Sequence, residues 1–413
     1  MRVTTLFKRL LRLEGVRVVA VELEGEPSKE RLLVDLARPP RCWLRCPGCG
    51  FRTRASYDRA LRTLRHLDVL RTPCLLRLEV RRLVCPDCGV VSEELPFARA
   101  GSRFTRAFED SCVWLARDAP KTVVARLMRI DWATVGRMIE RVVAEAAEAN
   151  GEQWLQGLRR IGIDEVSYRK GHRYLLCVVC HDTGRIVWAA PGKSRAVLHS
   201  FFDELGEERC ALLEAVSADL APAWAEVIRE RAPNALRCAD PFHVVKLAGE
   251  ALDTLRRQDW QRLRKQDPRR AVWLKGTRFV LRQRAETLSE GQRDLIEELA
   301  QTNERVYRGW LLVDQLRAVY AAEGEQAGLL LEQWLDAAAS CLLVPFVKLA
   351  RTLAEHREEI VNAIRLGLSN ARLEAMNSTV RLISHRSRGF RRLDSLLALI
   401  RLVCGKVPVA LPT

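Results

Sequence analysis

The stretch RRIGIDEVSYRKGHRYLLCVVCHDTGRIVWAAPG, residues 159–192, holds three apolar runs of strand length: RRIGIDEVS, RYLLCVVCHD and GRIVWAAPG. The DTG between the second and third reads as a hairpin turn. Downstream, SRAVLHSFFDELGE has the apolar spacing of a helix, while ALLEAVSAD and ALRCADPFH read as two further strands separated by the helical LAPAWAEVIRERAP. The predicted order is therefore three strands, helix, strand, helix, strand. Asp164 closes the first strand in this reading and Asp219 closes the fourth.

A meander followed by βαβ-like crossovers is the layout of a ribonuclease-H-like domain, in which strands one and four lie side by side. The two aspartates would then converge at one sheet edge. Adjacent carboxylates repel unless cations neutralise them, and oxygen-only ligands select Mg²⁺ or Mn²⁺. A third acid is expected on a later helix, and Glu374 in LSNARLEAMNSTVRLISHRSRGFRRLDSLL fits, with Asn370 and Asn377 nearby and a basic stretch behind it. Glu165 should point to the opposite sheet face from Asp164. Asp182 and Asp203 read as turn formers.

Toward the N-terminus, CPGCG at 46–50 and CPDCG at 85–89 are near-copies. Thiolates two residues apart on a tight knuckle can face one tetrahedral ion, so Cys46, Cys49, Cys85 and Cys88 predict one structural zinc with no open position for catalysis. Thirty-five residues separate Cys49 from Cys85, more than a ribbon loop needs, and CLLRLEVRRLVCPDCG reads as a strand feeding the second knuckle. Beyond it, APKTVVARLMRIDWATVGRMIERVVAEAAEA has apolar residues at helical spacing on both sides of RID, where Asp131 can cap a second helix. This is helix-turn-helix grammar, with Ala125 at the close approach and Val135, Met138 and Ile139 as the buried stripe. Arg129 occupies the turn position that usually holds glycine, which leaves an ordinary helical hairpin as the alternative.

The chain has 413 residues, a formal charge of +16, and 68 Lys plus Arg against 52 Asp plus Glu, so its field attracts polyanions. Residues 41–90 carry eleven arginines against four acids, which suits a surface that tracks phosphates. Residues 256–284 carry eleven cations and two acids, with Trp260, Trp273 and Phe279 interleaved. That composition suits distorted DNA or the packing of a helical domain, and 250–365 reads as helical throughout. No run of 18 apolar residues occurs, which argues against a membrane span. Thirteen cysteines and an opening stretch broken by arginines and glutamates predict a reducing cytoplasm without a disulfide framework.

Taken in order, the CPxCG knuckles, GIDE with KGH, VSAD, ADPFHVVK, and SNARLEAMN with RGF resemble the DDE insertion-sequence transposases of the ISL-three type, over nearly the whole chain. The resemblance implies a multidomain α+β protein: an N-terminal segment with a zinc-binding ribbon (1–98), a helix-turn-helix region (100–150), and a ribonuclease-H-like α/β core in two parts (158–249 and 366–413) around an all-helical insertion (250–365). It implies a catalytic triad of Asp164, Asp219 and Glu374 holding two Mg²⁺ or Mn²⁺ ions, cleaving DNA and transferring strands. It also implies an Asp-x-x-His pair, matched by Asp240 and His243, as support or as the alternative second ligand. Expected partners are double-stranded DNA, as terminal inverted repeats and target, and a second copy of the chain, in the cytoplasm near the nucleoid. Candidate DNA contacts are Arg77, Arg81 and Arg82 in the ribbon and Arg126, Thr134 and Arg137 in the helix-turn-helix. Arg381, Arg386, Arg388, Arg391 and Arg392 follow the third acid. A catalytically inactive DNA-binding regulator and a metal-dependent nuclease without strand transfer are the alternatives.

Overall fold

The computed structural model describes residues 2–27, 29–150, 154–169, 171–322, 324–368, 371–386, 392–409 and 411. The chain divides into two compact units: Met1–Ala149 with Arg392–Val403 and Val407–Thr413, and Asn150–Arg391 with Cys404–Lys406.

In the first unit, helix α1 (Val3–Leu11) precedes strands β1 (Arg17–Glu24), β2 (Arg31–Ala37), β3 (Leu44–Arg45), β4 (Arg52–Thr53), β5 (Asp58–Val69), β6 (Thr72–Cys85) and β7 (Gly89–Ser92). The main sheet runs β1-β2-β6-β5, with β7 paired to β6, and β3-β4 form a separate small ribbon. The long gap between the knuckles is filled by the β5–β6 hairpin. Strand β6 alternates as its sequence dictates: Cys74, Leu76, Leu78 and Val80 go into the core with Phe7, Val34 and Leu64, and Leu75, Arg77 and Glu79 between them are less buried.

The first unit continues with α2 (Arg106–Asp118), α3 (Lys121–Met128) and α4 (Trp132–Asn150), and the late helix α16 (Leu393–Cys404) belongs largely to it. Val135, Met138 and Ile139 are buried as their spacing predicts. The Asp131 carboxylate accepts the Ala133 N–H at 2.8 Å, capping α4. Arg129 takes the left-handed turn conformation at φ 55°. Its guanidinium reaches the Arg71 carbonyl at 2.8 Å and pairs with Asp68, so the side chain moors the turn to the β5–β6 hairpin. That contact is a physical reason for arginine where glycine would relax the backbone. Fully buried Glu109 accepts from Ser102 at 2.8 Å and from Arg99 at 3.2 Å, and pairs with Arg141, which keeps its charge satisfied inside the helical layer.

The second unit is built on β8 (Arg160–Arg169), β9 (Arg173–Cys180), β10 (Ile186–Pro191), α5 (Arg195–Leu205), α6 (Glu207–Cys210), β11 (Ala215–Ala218), α7 (Pro222–Arg231) and β12 (Leu236–Ala239). The sheet order is β10-β9-β8-β11-β12, with β8 parallel to β11, β11 parallel to β12, and the other neighbours antiparallel. Phe201, Phe202, Leu198 and Leu205 of α5 and Trp224, Val227 and Ile228 of α7 cover one face of it.

Helices α8 (Pro241–Gln266), α9 (Pro268–Gly276), α10 (Glu290–Thr302), α11 (Glu304–Ala321), α12 (Gly324–Ser340), α13 (Val344–Glu355) and α14 (Arg357–Arg365) follow, and α15 (Ala371–Arg386) returns to the sheet. Trp260 and Trp273 pack against the helices' own apolar core, while Phe279 is exposed.

Two expectations are corrected. Asp164 does not close its strand: β8 runs on to Arg169, paired with β9 through a register shift between Ser167 and Arg169, and Asp164 lies opposite Cys177. Only its pairing with β11 stops early, at Gly162 opposite Ser217. The run ALRCADPFH is also not all strand. Asp240 caps α8 by accepting the Phe242 N–H at 2.8 Å, Pro241 opens the helix, and His243 therefore lies in its first turn.

Candidate functional site

Three aspartates come to the same level of the second unit's sheet because its central strands are parallel and in register, Asp219 and Asp240 just past their strand ends and Asp164 within β8. Asp164 and Asp219 each lie two residues beyond the last β8–β11 pair, Gly162 opposite Ser217, and Asp240 directly follows the Ala218–Ala239 pair of β11 and β12. Asp164 is buried, and one of its oxygens accepts the Glu165 N–H at 2.7 Å. Burial pushes its pKa up, against the lowering effect of the hydrogen bond from Asn377. Glu165, expected to point away from Asp164, pairs with Lys193 at 3.1 Å.

Asp219 and Asp240 have different surroundings. Asp240 is 3 % exposed, and its second oxygen is bound by His243 Nδ1 at 2.6 Å. The side chain of Asp219 is 42 % exposed, with one oxygen accepting the Leu220 N–H at 2.7 Å and the other 3.8 Å from His243 Nε2. Burial opposes a charge on His243, but the Asp240 hydrogen bond and the negative charges of Asp240, Asp219 and Asp164 outweigh it and raise the imidazole pKa. His243 thus bridges the two aspartates.

Helix α15 completes the site from the far end of the chain. It seats on β8 where Gly162 leaves room: a Cβ there would stand 2.8 Å from Leu373 Cδ1, 2.9 Å from His181 Nε2 and 3.1 Å from Ser217 Oγ. The last two atoms form a buried pair at 2.7 Å. One turn along, Asn377 donates its Nδ2 to Asp164 Oδ2 at 2.5 Å. Glu374 is exposed, three residues before Asn377 and so on the same side of the helix. Neither Asp164, Asp219 and Glu374 nor the three aspartates with His243 meet as closely as metal ligands do: among the described residues, the group of three or more His, Cys, Asp and Glu whose ligand atoms all lie within 4.8 Å of one another is Cys46, Cys49, Cys85 and Cys88. Asn370, Arg388 and Arg391 lie outside the described residues. The sequence placed Asn377 only near Glu374; its spacing of three from that residue was the available signal.

The cysteine cluster is the first unit's metal centre. Each knuckle ends on a glycine in the positive-φ region, Gly50 at 77° and Gly89 at 73°, and the Gly50 N–H returns to the Cys46 carbonyl at 3.0 Å. A Cβ on Gly48 would lie 3.1 Å from Cys88 Sγ. The N–H groups of Cys49 and Gly48 pull the Cys46 thiol down to about 7, and proximity to that sulfur and to Cys49 pushes Cys88 up to about 12. Four converging thiols cannot all ionise without a cation between them, and a dication supplies that charge. The set is that of a structural zinc.

The candidate DNA contacts divide by what already holds them. Arg77 forks onto Asp35 at 2.5 and 2.8 Å, Arg81 is bound to Glu93 and to Cys42 Sγ, and Arg82 pairs with Asp58. These three are engaged within the sheet layer and are less available to phosphates than their sequence suggests. Arg126 and Arg137 are exposed on the helix-turn-helix, with Arg137 bonded to the Thr134 hydroxyl at 2.8 Å. Arg381 and Arg386 are exposed on α15, and Arg392 pairs with Asp394 at 3.3 Å.

The chain matches known proteins over three stretches and over its whole length. A family model described as a transposase matches residues 161–400, a helix-turn-helix domain of transposase family ISL3 matches 93–143, and a zinc finger of the transposases of IS204, IS1001, IS1096 and IS1165 matches 44–88. The transposase for insertion sequence element IS1557 of Mycobacterium tuberculosis is 39% identical over 437 residues, covering 100% of this chain and 98% of the relative. The transposase for IS1001 of Bordetella parapertussis is 27% identical over 395 residues, covering 94% and 95%. With its zinc ribbon, its helix-turn-helix and a matching transposase domain, the chain belongs to the ISL3 family of insertion-sequence transposases.

Proposed function

We propose that the chain binds the terminal inverted repeats of its insertion sequence, cleaves at their ends, and transfers the freed 3′ ends to target DNA, using a divalent-metal site made by Asp164, Asp219 and Glu374. The observation that carries this reading is the convergence of Asp164, Asp219 and the Asp240–His243 pair at one level of the sheet, with α15 tied to Asp164 by Asn377. The strand order β10-β9-β8-β11-β12, with α5 and α7 as crossovers, supports a ribonuclease-H-like core, and α8–α14 stand in sequence where the helical insertion is expected. We accordingly assign 1–98 to the ribbon segment, 100–150 to the helix-turn-helix region, 158–249 and 366–413 to the core, and 250–365 to the insertion.

The donor set fits a hard cation. It is all oxygen, and among the described residues the Oδ1 atom of Asn377, buried beside Asp164, has no hydrogen-bond partner. Two Mg²⁺ or Mn²⁺ ions bound there would supply Lewis-acid activation of an attacking oxygen and charge stabilisation of the leaving one. Asp219 has the more open carboxylate and is assigned as the second ligand. Asp240 orients His243, whose Nδ1 it binds at 2.6 Å, beside the open Asp219 carboxylate. Exposed Arg381 and Arg386 extend the same helix toward the DNA backbone. Arg126, Thr134 and Arg137 read the repeats. Joining two ends requires at least two copies of the chain on DNA, in a cytoplasmic, nucleoid-associated setting. Among the described residues no helix is long and apolar enough to cross a membrane.

Incubating the purified protein with a labelled terminal-repeat duplex and Mg²⁺ tests the proposal. Nicked and joined products are expected. Nicks without joined products would make it a nuclease, and binding without nicks a regulator.

A further inference from the structure

The side chain of Asn377 is anomalous in a way that a purely structural role does not explain. It is 6 % exposed, sits on α15, and reaches back over 213 residues of sequence to donate Nδ2 to Asp164 Oδ2 at 2.5 Å. The other end of the amide, Oδ1, is buried and without a partner among the described residues. A buried carbonyl oxygen left unpaired has lost its hydration with no bond in return. A side chain kept only to hold α15 on β8 would bond through both ends, or be replaced by an apolar residue packed like neighbouring Leu373 and Met376, which are both buried.

We propose that Asn377 is a cation-binding residue: its Oδ1 is a neutral oxygen ligand to the divalent ion held by Asp164. The inference rests on the acid-site reading above and adds a residue to it. Nitrogen and oxygen of the amide exchange places by rotation about one bond. Without a cation, the NH₂ group faces the carboxylate and is the only end that can bond it. With a cation bound beside the pair, Nδ2 can keep its bond to Asp164 while the unpartnered Oδ1 faces the ion. A neutral ligand at this place adds coordination without a further negative charge beside Asp164, Asp219, Asp240 and Glu374. Glu374, one turn earlier on the same helix, would reach the same cluster from the solvent side.

Mn²⁺ binding to the full-length, zinc-loaded chain in chelator-free buffer tests this without reference to activity. Free Mn²⁺ would be followed by electron paramagnetic resonance, beside thermal melts of each variant. Asn377→Ala is expected to weaken Mn²⁺ binding about tenfold or more, the range seen when groups supporting a metal site are removed. Asn377→Asp is the deciding variant. A carboxylate cannot donate to Asp164, so a structural hydrogen bond is lost, whereas a metal ligand is kept. Mn²⁺ affinity in Asn377→Asp at or above that of the wild type, with a larger Mn²⁺-induced rise in melting temperature, supports the proposal. Wild-type affinity in Asn377→Ala, or affinity in Asn377→Asp reduced as far as in Asn377→Ala, overturns it. If the alanine variant does not fold, the aspartate variant decides alone. Asp164→Asn separates the two levels of the argument. If it loses Mn²⁺ while Asn377→Ala does not, only the role of Asn377 fails; if Asp164→Asn binds Mn²⁺ like the wild type, the acid site itself fails.

Discussion

Asp219 and Asp240 leave adjacent parallel strands at the same edge, yet only one of them has oxygens to spare. Asp240 spends both on the Phe242 N–H and His243, whereas Asp219 is 42 % exposed and bonds only its neighbour's N–H at short range. If Asp219 is the ligand, Asp219→Asn should lower single-turnover cleavage on the order of a thousandfold, the scale of losing metal-based charge stabilisation. Asp240→Asn should cost about ten- to a hundredfold by releasing His243. The reverse ranking would exchange their roles. Arg129 shows a residue-scale choice made by tertiary contact. Arg129→Ala keeps the left-handed backbone but drops the Asp68 and Arg71 contacts, so urea unfolding should show a loss of about 1 kcal/mol, discounted for the partly exposed pair. No loss would mean that the mooring contributes nothing. Glycine was the sequence expectation at that turn, and nothing local to RID reveals a partner some sixty residues earlier.

At the scale of elements, α15 meets β8 because Gly162 has no side chain. Gly162→Ala places a methyl group against Leu373, His181 and Ser217, and overpacking of this kind costs about 1–3 kcal/mol. We expect a lower melting temperature and, as α15 lifts, weaker cleavage with repeat binding intact; an alanine variant that cleaves normally would show that α15 tolerates displacement. In the first unit, His66 on β5 contacts the Thr105 hydroxyl at 2.9 Å, and Thr105 caps α2. Burial lowers the His66 pKa to about 4, below the ordinary value near 6.5. The unfolded chain therefore binds the extra proton between those values. Stability is complete above about pH 6.5 and falls by about 3 kcal/mol as pH drops toward 4. Urea unfolding across that range should lose this slope in His66→Gln, and an unchanged slope would assign it elsewhere. The elements of the second unit were legible because their periods are local: the apolar runs from 159 to 239 became strands and helices in the predicted order, with the strand read from ALLEAVSAD shortened to Ala215–Ala218. The N-terminal sheet was not. Strand β1 is largely exposed and carries a weak pattern, and β2 finds its parallel partner β6 across some forty residues.

For the whole molecule, the charge of +16 pointed to nucleic acid but not to which arginines meet it. Arg77, Arg81 and Arg82 looked like phosphate contacts in a run of cations, and their acidic partners Asp35, Glu93 and Asp58 become visible only when distant strands pair. The candidate site follows the same rule. Asp219 could be placed from a strand end, because a parallel sheet brings such ends together whatever the loop lengths, while the position of Asp164 inside β8 and the grip of Asn377 on it could not. The central claim is that carboxylates from residues 164, 219 and 374 share divalent ions. Anomalous diffraction from crystals of the full chain grown with Mn²⁺ tests it most directly: the account predicts peaks between Asp164 and Asp219 with Glu374 drawn in to them, and a map without Mn²⁺ there, with Glu374 still turned to solvent, would contradict it.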